Sequence, residues 1–515
     1  MEQTPAAPRR TWFSRFLQGV ESVGNALPQP ASLFALLAVG IVGVSAWAAS
    51  AGLSVTHPAT GQSIAAVSLF NLDGFRRIVT HLLPNFVDFP PLGVVVVCLL
   101  GIAVAEHTGL LGAGVRLLVL AAPRRLITPM VVFAGIMSNV GGDVGYVLLI
   151  PLAAAIFHAV GRHPVAGLAA AFAGVSGGFS ANLFVGTIDV LLAGLTQSAA
   201  AIVTPGYKVT GLANYYFMVA STFVLTAAGT WVTHRVVEPR LGAYTGPAAA
   251  EPLVPLSAEE KRGLWCAAGF SVVMAGVILA GVVPQGGFLR DPAHPDSLLR
   301  SLLLTHLVPF IFAAGLGVGL AYGLGAGTVR SDRPVVKGME RSMSTLGSYL
   351  VLAFFAAQFI AFFNWTNLGL IIAVKGAGVI TSLGLESMPI PLMLAVVLFS
   401  SVINLAIGSA SAKWALLAPV FVPMFMLLGY TPELVQAAYR VGDSCTNVIT
   451  PLMGYFPLIL SFVHRYIPSA GIGTMIATML PYSIAFVLVW AVLLVLWLLA
   501  GIPVGVDAPL TLPSS

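Results

Sequence analysis

The sequence predicts an all-α polytopic membrane protein. Of its 515 residues, 58% are hydrophobic and only 8% are charged. Apolar runs of about 20 residues, the length that a helix needs to cross a bilayer, recur along most of the chain. Two longer apolar regions are interrupted by polar, glycine-rich clusters and resemble each other in sequence. These observations predict a bundle of membrane-spanning helices that contains an internal repeat.

Six apolar runs are interpreted as simple membrane spans, because each is long enough to cross the bilayer and carries no polar interruption. The first run is not interpreted as a cleaved signal peptide, because its polar lead is long and the run exceeds the apolar region of such a signal. The predicted spans are residues 31–50, 210–232, 264–283, 303–325, 344–363 and 479–500.

Basic residues cluster in the segments between spans, and such segments mark the cytoplasmic side of a membrane protein. The net charge of +5 therefore reflects topology in the lipid bilayer, and no nucleic-acid partner is expected. The expected divisions are a cytoplasmic N-terminal segment (1–28), one transmembrane transport domain (29–503) and a C-terminal tail (504–515). Within the domain we expect repeat 1 at about 90–232, a cytoplasmic loop at about 234–262 and repeat 2 at about 343–500.

Three other apolar segments are too long for one span and contain polar breaks. Irregular backbone at membrane depth is tolerated only where it is buried in protein or lines a water-filled cavity. The breaks therefore indicate the interior of a transport site. The segments are residues 90–123, 127–199 and 388–466; the polar clusters are SNVGGDVGY (138–146), GVSGGFSAN (174–182), INLAIGSASAKW (403–414) and GDSCTN (442–447).

The two interrupted regions repeat each other at a constant offset of 268 residues. Residues 141–176 align without a gap on residues 409–444, with ten identities in thirty-six positions. Unrelated apolar segments often match at alanine and leucine by chance. They match far less often in a spacing such as Pro-x9-Gly-x2-Pro-x9-Gly-x-Ser, which these two regions share. Paired broken segments in two halves of a chain are typical of secondary transporters with inverted repeats, whose substrate site lies at the repeat interface.

Each repeat unit has the shape of a re-entrant hairpin. In the second unit a short apolar arm ends before Thr431, which is a suitable N-cap, and Pro432 suits the first helical position. The following arm is expected to break again at Gly442. Each arm is too short to span the bilayer, so the two arms together enter and leave on one side. Where the first unit divides stays open.

Four acidic residues lie inside apolar segments, where a charge usually marks function: Glu106, Asp143, Asp189 and Asp443. Asp443 follows Arg440 by three residues on the same helical face. Its carboxylate, the Asn404 amide and freed carbonyls of the GDSCTN break would supply the oxygen ligands that Na⁺ needs. The alternative is a plain ion pair between Arg440 and Asp443.

Other polar residues offer weaker hypotheses. The planar fork of Arg440 suits a carboxylate of an anionic substrate. Trp414 offers an aromatic face for a substrate ring, although tryptophan is also common at the membrane interface. Asp189 is a candidate proton or amine partner, and Glu106 is a candidate helix cap. Lys413 is interpreted as a snorkelling surface residue without a role.

Two long motifs resemble the AbgT family of bacterial p-aminobenzoyl-glutamate transporters. They are IPLAAAIFHAVGRHPVAGLAAAFAGVSGGFSANLFVGTID (150–189) and GSASAKWALLAPVFVPMFMLLGYTPELVQAAYRVGDSCTNVITPLMGYF (408–456), and the similarity covers nearly the whole chain. The resemblance implies a homodimer in the bacterial inner membrane, with nine transmembrane helices and two re-entrant hairpins per subunit. It also implies a substrate path lined by Asp189, Trp414, Pro432, Arg440, Asp443 and Pro451, and a Na⁺ site at Asn404, Gly408 and Asp443.

The function implied is transport of p-aminobenzoyl-glutamate or related aromatic carboxylates, by import or by export of p-aminobenzoate or sulfonamides. No P-loop pattern occurs, so no cofactor is expected and the energy would come from a gradient of Na⁺ or H⁺. A dicarboxylate transporter or Na⁺/H⁺ exchanger of related hairpin architecture is the alternative. An enzyme is not expected, because no intramembrane histidine accompanies Ser444 and Asp443 on their segment.

Overall fold

A computed structural model describes residues 28–56, 61–141, 144–246 and 255–513. Nearly all of the expected N-terminal segment (1–28), together with Asp143, lies outside the described residues. Almost all regular structure in the described part is helical, as the sequence predicted. The exception is a small antiparallel hairpin of β1 (Ser54–Thr56) and β2 (Ser63–Ala65), in which Val55 pairs with Ile64.

The helices of the first half of the chain end at Leu241, before a segment rich in proline and alanine. Short 3₁₀ turns (Arg124–Leu126, Ser138–Gly141) and π-helical turns (Gly145–Leu149, Ala173–Gly177, Thr233–Val237) lie beside several of them. The helices are α1 (Pro30–Ser50), α2 (Leu72–Val87), α3 (Pro90–His107), α4 (Leu110–Leu120), α5 (Ile127–Met137), α6 (Ile150–Ala159), α7 (Pro164–Phe172), α8 (Thr187–Ala200), α9 (Tyr215–Val232) and α10 (Glu238–Leu241).

The second half begins with a long apolar helix and ends with another. A 3₁₀ turn (Leu298–Arg300) precedes the shortest of these helices. The helices are α11 (Ala258–Val282), α12 (Leu302–Thr305), α13 (Leu307–Ala326), α14 (Arg333–Thr345), α15 (Gly347–Trp365), α16 (Leu368–Ser382), α17 (Pro389–Ala406), α18 (Ala410–Leu427), α19 (Pro432–Asn447), α20 (Phe456–His464) and α21 (Ile472–Ala500).

In the described part of the chain, nine helical stretches are long and apolar enough to cross a membrane, the number expected. All six runs predicted as simple spans are among them, and so is α18, which the sequence assigned to a hairpin. A further apolar pair, Leu110–Leu120 and Arg124–Val140, is bent by 114° at a short break. The polytopic helical fold is therefore confirmed, with bent and broken helices beside straight ones.

Helices extend from both sides into the predicted cytoplasmic loop at 234–262. The helix that begins at α9 continues without a break through α10 to Leu241, and α11 already begins at Ala258. Ser257 and Glu260 cap α11 reciprocally, each side chain bonding the backbone N–H of the other. Charged residues mark where a helix leaves the bilayer, but arginine and glutamate are good helix formers and let it continue.

Both repeat units divide at the same place, a question that the sequence left open. The turn between α6 and α7 contains Gly161 at φ +78°, and the turn between α18 and α19 contains Gly429 at φ +88°. A positive φ suits glycine, which has no Cβ to collide with the backbone. The second arms begin with the matching prolines Pro164 and Pro432. As predicted, the Thr431 side chain caps α19 by accepting a hydrogen bond from the Leu434 N–H.

The expected break at Gly442 is wrong, because α19 runs uninterrupted from Pro432 to Asn447. The glycine serves close packing against α17. A Cβ added at Gly442 would lie 2.2 Å from the carbonyl oxygen of Val397. Glycine therefore lets two backbones approach, as small residues do between membrane helices. The true break in this region follows the helix, at residues 448–455.

The last residues pack against the tip of the second hairpin and form a C-terminal strap, residues 504–513. Thr431 donates a side-chain hydrogen bond to the Pro509 carbonyl at 2.6 Å, and the Leu512 N–H donates to the Gly429 carbonyl at 2.8 Å. The Val506 N–H donates to a carbonyl of the 201–214 loop. The strap therefore joins the hairpin tip to that loop.

Replacing Gly442 by alanine should destabilise the protein, because the new methyl group would meet a backbone carbonyl that cannot rotate away. Overpacking of this kind costs about 1–3 kcal/mol. The measurement is the thermal unfolding midpoint of the purified protein in detergent. Gly276→Ala in α11 is the matched control, because no atom lies within 4 Å of its added Cβ. A Gly442→Ala midpoint equal to that of the control would contradict the packing role.

Candidate functional site

Two buried ion pairs lie at the centre of the described structure. An Arg440 Nη atom lies 2.5 Å from Asp189 Oδ1, and Lys413 Nζ lies 2.5 Å from Asp443 Oδ1. None of the four side chains is more than 5% exposed. The alternative of an Arg440–Asp443 pair is therefore wrong: the two residues share one face of α19 but pair with different helices.

The break in repeat 1 positions Asp189. Residues 178–186 are irregular, and α8 begins directly after them, with Asp189 as its third residue. The carboxylate accepts a hydrogen bond of 2.6 Å from the Gly186 N–H, so it closes the start of the helix. A carboxylate is also stabilised there by the positive end of the helix dipole. The backbone before α8 thus holds the Asp189 carboxylate in place while the carboxylate pairs with Arg440.

The second hairpin contacts α8 at a second point two turns further on. The Trp414 indole Nε1–H donates to Thr196 Oγ at 2.7 Å. The indole ring stacks on Tyr439, with centroids 4.4 Å apart and planes 24° apart. Because the Trp414 side chain is fully buried, it is not a membrane-interface tryptophan. The two arms of the hairpin are joined by this aromatic pair, and both arms are held against α8.

Lys413 does not snorkel to the surface, and that interpretation of the sequence is wrong. The residue lies in the first turn of α18, directly after the break at 407–409, and its side chain is completely buried. Its ammonium group contacts Asp443 Oδ1 and also donates to Asn404 Oδ1. An irregular stretch at membrane depth, rather than a helix end at the surface, places this charge.

Asn404 uses both ends of its amide. The oxygen accepts from Lys413, and the Nδ2 group faces the Asp443 carbonyl at 2.7 Å, Thr446 Oγ1 at 2.9 Å and Asn447 Oδ1 at 2.9 Å. The oxygen atoms expected to hold Na⁺ are therefore close together, but an ammonium group and an amide N–H already lie among them. The Asp443 carbonyl belongs to an intact helix rather than to a freed backbone.

The two breaks of repeat 2 face each other beside this cluster. A Cβ at Gly408 would lie 2.8 Å from the Leu452 carbonyl oxygen, so the glycine allows the first break to contact the second. Pro451 lies in that second break, at 448–455. A cavity of about 480 Å³ is lined by the start of α1, by both breaks and by Ala412, the neighbour of Lys413. Gly408 and Pro451 thus belong to the surroundings of the paired charges.

Two other predicted residues lie elsewhere. Pro432 begins α19 at the hairpin tip, eleven residues before Asp443, a separation of about 16 Å along a helix. The Glu106 side chain is exposed in the last turn of α3. Asp143 is not among the described residues. The structure therefore brings together Asp189, Trp414, Arg440, Asp443 and Asn404, and it leaves Pro432 and Glu106 outside this cluster.

A chain of polar side chains leads from Trp414 towards the 201–214 loop. Thr196 donates to Gln436 Oε1, and Gln436 Nε2 donates to Asn214 Oδ1 at 2.8 Å. Asn214 Nδ2 donates to the Glu433 carbonyl, and the Tyr207 hydroxyl donates to the Glu433 carboxylate at 3.1 Å. Burial and the neighbouring carboxylate raise the pKa of Tyr207 above its usual value, so the phenol stays protonated and donates.

Sequence reasoning missed Lys413, Thr196 and Tyr439. Lys413 carried a usable signal: it is a charge within an apolar segment, next to a glycine- and serine-rich break. Thr196 and Tyr439 carried none, because threonine and tyrosine are ordinary in membrane helices. Only the packing of the hairpin on α8 identifies them as partners of Trp414.

Comparisons with known proteins agree with this architecture. A sequence model described as the "AbgT putative transporter family" matches residues 15–512. The "p-aminobenzoyl-glutamate transport protein" of Escherichia coli (strain K12) is 38% identical over 486 residues, which are 94% of this chain and 95% of that protein.

Two solved structures are similar along nearly the whole chain. The Alcanivorax borkumensis YdaH transporter, described as having an unusual topology, is 44% identical with a TM-score of 0.88, over 93% of this chain and all of that one. Neisseria gonorrhoeae MtrF, described with a class of antimetabolite efflux pumps, is 49% identical with a TM-score of 0.91, over 96% of this chain and all of that one.

Breaking the Asp189–Arg440 pair on one side should be costly. Asp189→Asn leaves a buried guanidinium without its counter-charge, which costs about 3–5 kcal/mol, whereas Asp189→Asn combined with Arg440→Gln should cost less. The measurement is the thermal unfolding midpoint of each purified variant. Asp73→Asn, which breaks an exposed pair with Arg76, is the control and should change nothing measurable. A double variant less stable than Asp189→Asn would contradict charge pairing.

Proposed function

The chain belongs to the AbgT transporter family, and on that premise we propose an ion-coupled secondary transporter of p-aminobenzoyl-glutamate or related aromatic carboxylates. The protein is a multi-pass protein of the bacterial inner membrane, and its relatives are transport proteins rather than enzymes. The side chains of the site favour a substrate that carries both a carboxylate and an aromatic ring.

The proposal rests on the hydrogen bonds of the Arg440 guanidinium, which are incomplete. One Nη atom is paired with Asp189, but the Nε–H is buried and has no hydrogen-bond partner among the described residues. A buried donor without a partner is costly, and an arginine fork binds a carboxylate through two parallel bonds. A substrate carboxylate that reached Arg440 would satisfy the unused donor, and that gain favours an anionic substrate.

An aromatic substrate is favoured by the neighbours of Arg440. Tyr439 precedes it in α19, and the Trp414–Tyr439 pair lies between the two hairpin arms. Aromatic rings prefer offset or edge contacts with other rings, worth about 0.5–1.5 kcal/mol beyond burial. A substrate ring that contacts this pair would bring a carboxylate of the same molecule towards Arg440, the residue next to Tyr439.

Binding of an anionic substrate would alter how the hairpin is held. In the described state Asp189 is the partner of Arg440, so an incoming carboxylate would compete with Asp189 for the same guanidinium. The hairpin would then lose one of its polar contacts with α8 and keep those that Thr196 makes with Trp414 and Gln436. This exchange of partners is a physical route from substrate binding to movement of the hairpin.

Two directions of transport fit this chemistry. The relative from E. coli is named as a p-aminobenzoyl-glutamate transport protein, which favours movement of that compound. The 49% identity to MtrF, which is described with a class of antimetabolite efflux pumps, supports export as a second candidate, for which we propose p-aminobenzoate or sulfonamides as the exported compounds. Both candidates use an aromatic ring with an acidic or polar group, and both would draw energy from a Na⁺ or H⁺ gradient. We also propose that the working unit is a homodimer.

Gradient-driven accumulation of radiolabelled p-aminobenzoyl-glutamate in proteoliposomes tests the proposal. We expect accumulation under either an imposed Na⁺ gradient or an imposed pH gradient, and the loss of accumulation in Asp443→Asn, because the Lys413 ammonium loses its counter-charge at the centre of the site. Glu106→Gln is the matched control: it removes another acid of an apolar segment, but one that is exposed outside the cluster.

Accumulation by Asp443→Asn at the wild-type rate would contradict the role of Asp443 in transport. If neither gradient drives p-aminobenzoyl-glutamate, the assay is repeated with p-aminobenzoate and a sulfonamide. Failure with all three compounds under both gradients would contradict the proposed substrate class.

Arg440 should distinguish charged from neutral substrates. In Arg440→Gln combined with Asp189→Asn, affinity for p-aminobenzoyl-glutamate should fall at least about tenfold, since a charge-assisted hydrogen bond is worth about 1.5–3 kcal/mol. Affinity for the corresponding diamide should change little. Arg162→Gln is the control, because it also loses an ion pair, with Glu238 at 2.6 Å, but far along the chain from the aromatic pair. Equal losses for both ligands would show that Arg440 is structural.

A further inference from the structure

Lys413 is the charged group of the site for which neither the sequence nor the comparisons provide a role. Its side chain has no exposure to solvent, although lysine is among the residues least often buried. Burying an ammonium group is expensive unless opposite charge and hydrogen-bond acceptors surround it. The residue therefore requires a compensating environment, and its contacts show what that environment is.

Oxygen atoms from two other helices hold the ammonium group. Asp443 Oδ1 of α19 lies 2.5 Å away, and Asn404 Oδ1 of α17 accepts a further hydrogen bond. The Asn404 oxygen faces this direction, because its Nδ2 group, which can donate two hydrogen bonds, faces three acceptors at 2.7–2.9 Å. The Tyr439 hydroxyl lies 3.3 Å from the same Asp443 oxygen. The ammonium thus has the surroundings that a bound cation would have.

The charges of this region already balance. Arg440 and Lys413 contribute two positive charges, and Asp189 and Asp443 contribute two negative charges, so the four sum to zero. A Na⁺ ion added beside Asp443 would leave one excess positive charge in a buried region, where Coulomb interactions are strong. It would also meet the Lys413 ammonium at contact distance. Geometry and charge balance therefore both disfavour Na⁺ at Asp443 while Lys413 is present.

We propose that Lys413 is a tethered cation that takes the place of Na⁺ between Asp443 and Asn404. Replacing its ammonium by a neutral side chain converts the same oxygen atoms into a Na⁺ site. This proposal rests on the proposed function, because it concerns the coupling ion of that transporter. The ion gradient that drives transport therefore does not act through Na⁺ bound at Asp443.

The test measures Na⁺ binding without any transported substrate, so its result is independent of whether p-aminobenzoyl-glutamate is transported. The thermal unfolding midpoint of full-length protein in detergent is followed while Na⁺ replaces choline at constant ionic strength. The wild-type midpoint should not change with Na⁺. Lys413→Met should lose more than about 5 °C in choline, because Asp443 is left buried and unpaired. It should recover as Na⁺ saturates the site.

Two further variants separate charge compensation from packing. Lys413→Met combined with Asp443→Asn has no unpaired charge, so it should regain stability in choline and show no Na⁺ response. Lys375→Met, which removes an exposed lysine of α16, should behave like the wild type in both salts.

Three results would overturn the proposal. The first is a wild-type midpoint that rises saturably with Na⁺ and no longer does so in Asp443→Asn. The second is a Lys413→Met midpoint in choline equal to that of the wild type. The third applies if Lys413→Met cannot be purified. If the Lys413→Met/Asp443→Asn double variant also fails to fold, removing the unpaired charge does not restore stability, and the loss is due to packing. A folded double variant and a wild type indifferent to Na⁺ would support the tethered cation.

Discussion

Charge pairing in a medium of low dielectric constant is the constraint on which the centre of this protein depends. An isolated charge is costly inside a membrane protein, so each of the four charges at this centre lies against an opposite one. Arg440 and Asp443 are neighbours on α19, yet Arg440 reaches α8 and Asp443 reaches α18. One helix is thereby held in two directions, and the second hairpin cannot shift without changing an ion pair.

The helix breaks supply the partners for these two charges. Asp189 lies in the first turn after the 178–186 break, and Lys413 lies in the first turn after the 407–409 break. A carboxylate suits the positive end of a helix dipole, but an ammonium group does not. Asp443 and Asn404 therefore offset the unfavourable interaction between the Lys413 ammonium and the dipole of its own helix. Each repeat contributes one of these residues, with opposite sign, and the two partners on α19 complete the balance.

Sequence reasoning succeeded where local chemistry decides the structure. Apolar length predicted the spans, and the shared proline and glycine spacing predicted the hairpin turn, including the cap at Thr431. It failed where a residue serves a partner distant in the chain. Gly442 was expected to break a helix because glycine often does, but here it allows contact with α17. The three-residue spacing of Arg440 and Asp443 left a local pair open as an alternative, whereas the partner of Arg440 is Asp189, 251 residues away. Such pairings depend on packing that no local pattern contains.

The C-terminal strap has a consequence for the order in which the protein is built. Residues 504–513 bond the tip of the second hairpin and the 201–214 loop. Translation proceeds from the N-terminus, so these residues are made after all of the described helices. The hairpin that carries Arg440 and Asp443 is therefore made before the strap that bonds its tip. A nascent chain halted between the two would hold all the charged residues of the site without the strap contacts, so the charged centre and the outer contacts of the hairpin are separate stages of assembly.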